Sequence, residues 1–534
     1  INKGGNTAIW GNITFISESP MAEGLIYVGT DDGLVQVTEN GGKSWRKIER
    51  FKGVPEMTYV SSIHASLSDP NTAYASFDNH QMGDFKPYLL KTTDKGNSWV
   101  SIAGNLPPNG PVLCLAQDSV DANLLFAGTE FGVHFTIDGG KTWTQLKAGL
   151  PTIAVKDIAI QKRENDLALA TFGRGFYILD DYSPLRTVSS AILAEDAHIF
   201  PVKDALMYIQ ASPIGGSGKA WQGDAFFTAE NPPFGATFTY YLKESLKTRK
   251  QMRKDAEKKS EKDGKLVYPT MDELRAEADE DAPAILFTMK DESGNVVRRL
   301  TGANSEGINR LTWDLRMMSP DPVTRAGENV AGRGSWLAMP GKYSVTMSKR
   351  VDGVESVLAG PVDFKCVVLG SPSIPTNRPE LAAFERKAAG LQRAAVGALN
   401  VLNDVRTRVG ALKAALAQTP KSTTDLYQKL LGIERQLTAL RRQFTGDEVM
   451  GRYNENAPPT LMGWLDAVTQ GFWSSTAAPT GTSLKAYDIA ADEFTGLYAT
   501  LRQLVEHDVP AIDAELEHMG APWTPGRLPD WKKE

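Results

Sequence analysis

The stretch Thr136–Trp143, TIDGGKTW, decides the fold, because near-copies of it occur as TTDKGNSW at 92–99 and TENGGKSW at 38–45. In each copy a threonine is followed two residues later by an acid or amide. A glycine follows after two more residues and a tryptophan after three more. Self-similarity of this kind indicates a repeat architecture, so the repeat has to be explained before any single residue.

The composition of this motif is typical of a self-capped β-hairpin. A short Asp or Asn side chain can accept hydrogen bonds from nearby backbone N–H groups, and glycine tolerates the positive φ of a tight turn. The tryptophan begins the next strand and can bury a large apolar face. Asn40 replaces Asp in one copy, so the turn needs no charge. We therefore predict structural roles for Asn40, Trp45, Asp94, Trp99, Asp138 and Trp143.

Length and composition limit the class of protein. A chain of 534 residues exceeds one hydrophobic core, and about three domains are expected. No apolar run is long enough to cross a bilayer, and the net charge of −6 disfavours a nucleic-acid groove. The cysteines and histidines show no metal-ligand spacing, so we predict neither a metal site nor a cofactor. The chain starts at Ile1 without a basic and apolar leader, which predicts a removed signal or a longer product.

Residues 1–185 contain the repeat in four units of about 40 to 50 residues. A strand pair recurs as GLIYVGTDDGLVQVT at 24–38, NLLFAGTEFGVHFT at 123–136 and DLALATFGRGFYIL at 166–179, with a looser version at 72–92. Another strand precedes each pair. Short alternating strands with Gly and Asp turns at this period predict β-propeller blades, and a stacked solenoid is the alternative.

This pattern resembles the Asp-box propellers, a superfamily that includes sialidases, xyloglucan-type glycoside hydrolases and sortilin. The last unit, TFGRGFYILDDYSPLR at 171–186, is similar to the closing blade of exported bacterial BNR-repeat proteins of sortilin-like or glycosyl-hydrolase-like type. The resemblance implies an extracytoplasmic location, which would be periplasmic, cell-surface or secreted. It also implies a partial ring, because Asp-box rings contain more blades. An upstream segment or a companion polypeptide would supply the remaining blades.

Residues 186–370 predict an Ig-like β-sandwich that is interrupted by a charged insertion at 243–282. The pattern around Gly307, Trp313 and Pro340-Gly341-Lys342-Tyr343 resembles the Ig-like fold of flagellar hook-capping proteins, with Trp313 in the core. The insertion is first basic and then acidic, which predicts a helical hairpin or a mobile solvated segment in preference to a nucleic-acid site. The predicted strands lie within 225–242, 284–300, 307–317 and 340–369.

Residues 371–534 predict an antiparallel helical bundle with an extended C-terminal strap. Apolar residues recur at spacings of four and three between Pro379 and Pro420, over 426–444 and from Ser483 onward. Short loops favour antiparallel neighbours. Seam residues of this type are expected to form a core and not a cofactor site.

Candidate site residues come from the turns between the second and third strands of the four units. In a propeller these turns lie on the face opposite to the Asp hairpins, where Asp-box enzymes keep their active sites. We therefore expect one rim that contains Asp31, Asp32, Asn79, His80, Glu130, Phe131 and Arg174.

Two chemical roles are open for this rim. Asp31 or Asp32 could form a catalytic pair with Glu130, since glycoside hydrolases use two carboxylates about 5 Å apart for retention or about 6.5–9.5 Å apart for inversion. Alternatively, GTDDG and GTEFG are plain hairpin turns, in which acids are common. His80, Phe131 and Arg174 are predicted to line a binding surface.

Two functions therefore remain. The first is an exported scaffold protein that binds a protein or glycan partner with its propeller. The second is a glycoside hydrolase or lyase that acts on a polysaccharide at the propeller channel, which is a hypothesis from fold resemblance alone. No G-x-S-x-G, P-loop or H-E-x-x-H motif supports another enzyme class.

Overall fold

The computed structural model describes residues 11–147, 149–210, 223–262, 264, 268–323, 335–370, 376–471, 475–527, 531 and 533. The chain divides into two compact units, Ile1–Glu195 and Asp196–Glu534. The first unit is built mainly from sheets, and the second combines sheets with the helices of the C-terminal region. Among the described helices, none has both the length and the apolar character needed to cross a bilayer.

The described part of the first unit contains four consecutive antiparallel sheets, which we call blades 1 to 4. In each blade the strand order follows the sequence, as in a propeller, so the unit has a β-propeller-like fold. The strands are, in blade 1, β1 (Ile13–Glu18), β2 (Ile26–Thr30), β3 (Val35–Thr38) and β4 (Arg46–Ile48); in blade 2, β5 (Tyr59–Ala65), β6 (Ala73–Asn79), β7 (Asp84–Thr92) and β8 (Val100–Ser101); in blade 3, β9 (Val112–Gln117), β10 (Leu125–Thr129), β11 (Gly132–Thr136) and β12 (Thr144–Leu146); and in blade 4, β13 (Val155–Gln161), β14 (Asp166–Thr171) and β15 (Phe176–Leu179).

Equivalent hydrogen bonds join successive blades. The first strand of each blade lies beside the first strand of the next. Thr14 Oγ1 of blade 1 donates to the Val60 carbonyl at 2.9 Å, and Ser61 Oγ of blade 2 donates to the Val112 carbonyl at 2.8 Å. Thr14 and Ser61 are the extra residues of β-bulges at the start of their strands, where a bulge re-aims a side chain.

The junction between blades 3 and 4 uses a thiol in place of a hydroxyl. Cys114 Sγ donates to the Val155 carbonyl at 3.5 Å. Gly128 lies at the same contact, and a Cβ there would come within 2.7 Å of the Val155 carbonyl oxygen. Glycine at position 128 therefore permits the close approach of the two blades.

The self-capped hairpins are organised by their short polar side chains. Thr136 Oγ1 donates to Asp138 Oδ1 at 2.7 Å, and Asp138 accepts the Thr142 N–H at 3.0 Å and the Thr142 hydroxyl at 2.5 Å. Asp94 and Asn40 accept the equivalent backbone N–H at 2.8 and 3.0 Å. The amide oxygen of Asn40 thus replaces a carboxylate oxygen in the same turn geometry.

The three hairpin tryptophans differ in burial, although their sequence pattern is the same. Trp143 is only 4% exposed and donates its indole N–H to the Ile102 carbonyl of blade 2 at 2.9 Å. Trp99 packs edge-on against Phe51, which follows the last strand of blade 1. Trp45 is 44% exposed. The burial differs because each tryptophan packs against the preceding blade. Among the described residues, no blade precedes blade 1, so Trp45 has no such neighbour.

Blade 4 ends in a buried polar network. After β15 come the short helical segments Ser183–Arg186 (3₁₀) and α1 (Ser190–Ala194). Arg186 contacts both carboxylate oxygens of Asp118 at 2.7 and 2.9 Å, and the Tyr182 hydroxyl donates to Asp118 at 2.5 Å. Burial acts to raise the pKa of Asp118, but the donors Arg186 and Tyr182 outweigh it and lower the pKa.

The second unit begins with two sheets around one apolar core. Trp313, which the sequence predicts as a core residue, is fully buried within it. The strand predicted at 225–242 is shorter and begins at Ala236. The smaller sheet has the order β16 (Ala197–Ile199), β18 (Ala236–Leu242), β21 (Gly307–Trp313), and the larger has the order β17 (Ala205–Met207), β23 (Val354–Val368), β22 (Gly341–Val351), β19 (Ala284–Asp291), β20 (Val296–Gly302).

The charged insertion contains a helical hairpin. Its basic half includes α2 (Arg249–Lys262) and its acidic half includes α3 (Met271–Ala278). Arg253 of α2 contacts Glu277 of α3 at 2.5 Å and Glu257 of its own helix at 2.6 Å. The opposite charges of the two halves therefore hold the helices together.

The C-terminal region is helical, and the predicted apolar seams lie in its core. The helices are α4 (Arg378–Ala417), α5 (Thr424–Thr445), α6 (Glu448–Arg452), α7 (Leu461–Thr469), α8 (Gly481–Gln503), a π-helical turn at Leu504–Asp508 and α9 (Val509–His518). In the segment predicted as a strap, the Arg527 guanidinium donates to the carbonyls of Ala521 and Pro522. The end of that segment (528–530, 532 and 534) lies outside the described residues.

Candidate functional site

Antiparallel order places two kinds of turn at opposite ends of each blade. The turns between second and third strands share one end with the connections between blades, whereas the self-capped hairpins lie at the other end. We call the first end the rim. The rim contains all the site residues predicted from the sequence, namely Asp31, Asp32, Asn79, His80, Glu130, Phe131 and Arg174.

In the blade 1 turn both carboxylates hold local structure. Asp31 accepts the Asn12 N–H at 2.8 Å and the Asn12 side-chain amide at 3.0 Å. Asp32 accepts the Thr30 hydroxyl at 2.5 Å. Gly33 has a φ of 86°, and a Cβ there would lie 2.7 Å from the Thr58 carbonyl oxygen of the next loop. The acids and the glycine of GTDDG therefore all have roles in the turn.

The blade 2 turn contains an Asp–His pair. His80 Nδ1 lies 2.7 Å from Asp78 Oδ2, and the His80 N–H donates to Asp78 Oδ1 at 3.0 Å. Asp78 is buried and His80 is about half exposed, so the carboxylate orients the ring while the ring reaches solvent. An imidazole oriented in this way can accept or donate a proton or bind a polar ligand. Asp78 did not enter the sequence prediction, although the spacing D-x-H was a usable signal.

The rest of the blade 2 turn is braced by Asp84. The Tyr88 hydroxyl donates to Asp84 Oδ2 at 2.6 Å, and the Asn79 amide donates to the same oxygen at 3.3 Å. Burial and the bond to Asp84 raise the pKa of Tyr88 to about 12. Asn79, predicted on the rim, thus stabilises the loop that carries His80.

Tyr59 connects the turns of blades 1 and 2 and was missed by sequence reasoning. It is the register partner of Asp78 across β5 and β6. Burial raises the pKa of Tyr59, and the nearby charges of Asp31 and Asp78 raise it further. The tyrosine nevertheless remains substantially exposed. One sector of the rim therefore groups Asp31, Tyr59, Asp78 and His80.

The turns of blades 3 and 4 present different chemistry. Glu130 is partly buried, and its carboxylate has no hydrogen bond or ion pair within the described part of the chain. Phe131 beside it is exposed, as are Phe172 and Arg174 of blade 4. Lys156 Nζ lies 5.6 Å from the centre of the Phe172 ring, a cation–π contact. This sector is aromatic and cationic.

The predicted catalytic pair shares the rim, but no hydrogen bond or ion pair joins Glu130 to Asp31 or Asp32 among the residues that the structure covers. Catalysis by these three residues therefore remains a prediction. Within the same residues, no cluster of His, Cys, Asp and Glu side chains could hold a metal ion.

Comparisons with known proteins identify no family. No protein-family model and no curated protein matches the chain. A solved structure of YCF48 from Cyanidioschyzon merolae is similar at 17% identity over 33% of this chain and 55% of its own, with a TM-score of 0.26. The GH74 xyloglucanase from Xanthomonas campestris is similar at 12% identity over 33% of this chain and 31% of its own, with a TM-score of 0.25.

The chain thus spans about half the length of the first of these proteins and about a third of the second. The β-propeller-like fold of the first unit rests on the strand order and the junctions of its blades, and not on these similarities.

Proposed function

We propose that the first unit is a binding module that holds a protein or glycan partner at the rim, and that the chain serves as an exported scaffold or interaction protein. One observation carries this proposal. The carboxylates of blades 1 and 2 are engaged in local hydrogen bonds, while aromatic and cationic side chains of the rim face solvent.

The exposed rim side chains suit recognition. Tyr59, Phe131 and Phe172 offer flat apolar faces, and the tyrosine adds a hydroxyl group. Arg174 is exposed and has no ion-pair partner among the described residues, so its guanidinium is free to bind an anionic or hydroxyl-rich ligand. Aromatic residues and arginine are the side chains that most often dominate binding energy in interfaces.

A glycoside hydrolase is the weaker alternative. It needs two available carboxylates, one of which stays protonated as the acid. Of the candidates, Asp31 and Asp32 already accept hydrogen bonds from Asn12 and Thr30, so only Glu130 is uncommitted. A lyase that acts at the channel would lack a second carboxylate free of local hydrogen bonds for the same reason.

The finer parts of the assignment are also proposals. We propose that the self-capped hairpins are Asp boxes of a BNR-type, sortilin-like propeller, because the short side chain of each hairpin accepts the same backbone N–H. We propose that the two sheets of the second unit form an Ig-like domain, which the burial of Trp313 between strands supports. An extracytoplasmic location follows only from the resemblance.

The rim can be tested with a glycan array and with the Phe131→Ala/Arg174→Ala variant. We expect array binding that weakens about tenfold in the variant, since a truncated hot-spot residue typically costs more than 1 kcal/mol. Tyr453→Ala is the control, because Tyr453 is an exposed aromatic residue of the second unit.

A reducing-sugar assay on the bound glycans separates the two functions. The binding proposal expects no release of reducing ends. Release that disappears in Glu130→Gln would overturn it in favour of the hydrolase. Equal binding by wild type and the rim variant would remove the rim as the site.

A further inference from the structure

Blade 1 has an exposed apolar flank on the side away from blade 2. Ile13 and Ile16 of its first strand are 65% and 64% exposed, and Trp45 lies exposed near its last strand. Large apolar side chains grouped on one sheet face are costly in water and mark an interaction surface. The rest of the unit shows what such a face contacts.

The position of Ile13 is a buried contact in every other blade. Ile13 directly precedes the bulge of its strand, and the register places Val60, Val112 and Val155 in the same position. Those three valines are fully buried. Each of them belongs to an apolar cluster shared with the preceding blade.

The position of Ile16 repeats this pattern. Ile16 lies three residues after Ile13. The equivalent residues of blades 2, 3 and 4 are Ile63, Leu115 and Ile158, which are all buried. These residues again face the preceding blade. The flank of blade 1 is therefore one half of a blade–blade junction, and it continues an interface that occurs three times within the unit.

The junctions also define the partner's chemistry. At each of them a small hydroxyl or thiol side chain of the preceding blade, Thr14, Ser61 or Cys114, donates to the carbonyl of the buried valine. The hairpin tryptophan packs against the segment that follows the preceding blade's fourth strand, as Trp143 does at Ile102. A partner for the flank needs both features.

Blade 4 of a second copy lacks these features. Its described part has three strands, so it offers no segment after a fourth strand against which Trp45 could pack. Its bulged residue is Lys156, and the next residue, which is equivalent to Cys114 of blade 3, is Asp157, so neither position offers a small hydroxyl or thiol group. Closure by a second copy is thus disfavoured.

We propose that the flank of blade 1 docks a four-stranded blade of the same repeat, with a small hydroxyl or thiol residue at or directly after its first-strand bulge, carried by polypeptide other than blades 1 to 4. The docked blade covers Ile13, Ile16 and Trp45 and extends the propeller beyond this unit. The flank is separate from the rim, so failure of this proposal leaves the proposed binding function intact.

Photo-crosslinking tests the identity of the occupant. The chain is expressed in the cells that produce it, with p-benzoylphenylalanine in place of Ile16, and adducts are sequenced after irradiation. We expect an adduct with a peptide from a repeat of the T-x-[D/N]-x-G-x-x-W type that lies outside blades 1 to 4. The same probe in place of Val120, an equally exposed turn residue, should give no such adduct.

Several results would overturn the proposal: an adduct with any of blades 1 to 4 of a second copy, an adduct with a polypeptide that lacks the repeat, or no adduct. A second measurement uses Ile16→Cys, since both native cysteines, Cys114 and Cys366, are buried. Maleimide labelling should be at least about tenfold slower in the native assembly than in the purified chain. Equal labelling rates would contradict docking at this flank.

Discussion

Asp138 and Asn40 occupy the same place in two hairpins, yet only Asp138 carries a charge. Both accept the backbone N–H four residues later, so the shared requirement is an oxygen atom at that position. Asp138 adds a bond from the Thr142 hydroxyl. Burial acts to raise the pKa of Asp138, but these hydrogen bonds outweigh it and lower the pKa to about 2.

We predict that Asp138→Ala lowers the free energy of unfolding of the first unit by about 1–2 kcal/mol, and Asp138→Asn by less, because the amide keeps one acceptor. Since the folded-state pKa lies below the unfolded value of about 3.9, the charge-dependent part is present above pH 4 and lost as the pH falls towards 2. Chemical denaturation at pH 7 and pH 3 measures both effects. Equal losses for the Ala and Asn variants at pH 7 would contradict the role given to the acceptor.

At the scale of elements, blade 4 is stabilised differently from its neighbours. In place of a fourth strand, the segment after β15 inserts Tyr182 and Arg186 onto the buried carboxylate of Asp118. A buried ion pair is weak evidence for net stability, but the loss of one partner leaves a charge buried and unpaired.

We therefore predict that Arg186→Met destabilises the first unit by about 3–5 kcal/mol, and that the double variant Arg186→Met/Asp118→Leu recovers part of this loss. Arg163→Ala is a suitable control, because Arg163 forms an exposed pair with Glu164 and such pairs contribute little. Thermal unfolding measures the three variants. A similar shift for Arg163→Ala and Arg186→Met would remove the distinction between the two pairs.

A second element-scale feature is a buried acid in α4. Burial raises the pKa of Glu385 to about 8, and the nearby charges of Arg316 and Arg378 offset only part of that effect. The raised pKa means that the folded state holds the proton more tightly than the unfolded chain does. This contribution is complete below about pH 4.5 and is lost as the pH rises through 8.

We predict that the second unit loses stability on the order of 3 kcal/mol between pH 5 and pH 9, and that Glu385→Gln flattens this profile. Urea denaturation across that range, followed by the helical circular dichroism signal, measures the effect. Glu434→Gln serves as the control, because Glu434 lies half exposed beside Lys413. An unchanged slope in Glu385→Gln would show that other groups cause the pH dependence.

At the scale of the whole molecule, both end blades of the first unit expose apolar flanks. Phe176 and Ile178 of blade 4 are exposed, whereas the equivalent positions Val35 and Val37 of blade 1 are buried against blade 2. Among the described residues of the first unit, two sheet faces are therefore left without a neighbouring blade, which is an association hazard for the isolated chain.

We predict that Phe176→Ser/Ile178→Thr reduces the binding of a hydrophobic dye and the concentration-dependent association of the purified chain. The melting temperature should change by less than about 2 °C, because exposed residues contribute little to stability. Val354→Ser, at an exposed valine of the second unit, is the control. Association that persists in the double variant would place the contact elsewhere.

The sequence by itself determined the elements. Hairpin motifs, alternating strands and apolar seams are local patterns, and they predicted the blades of residues 1–185, the burial of Trp313 and the helices after Pro379, because periodicity and turn chemistry act over a few residues. It also predicted which turns reach the rim, since strand order follows from antiparallel pairing.

Only the tertiary structure decided what each side chain contacts. Trp143 is buried and Trp45 is exposed although both belong to the same motif, because burial of the tryptophan depends on a neighbouring blade and not on the hairpin. Likewise, Tyr59 lies near Asp31 and Asp78, which belong to other strands, and it joins the turns of blades 1 and 2. Such contacts link residues that are distant in sequence, and no local pattern records them.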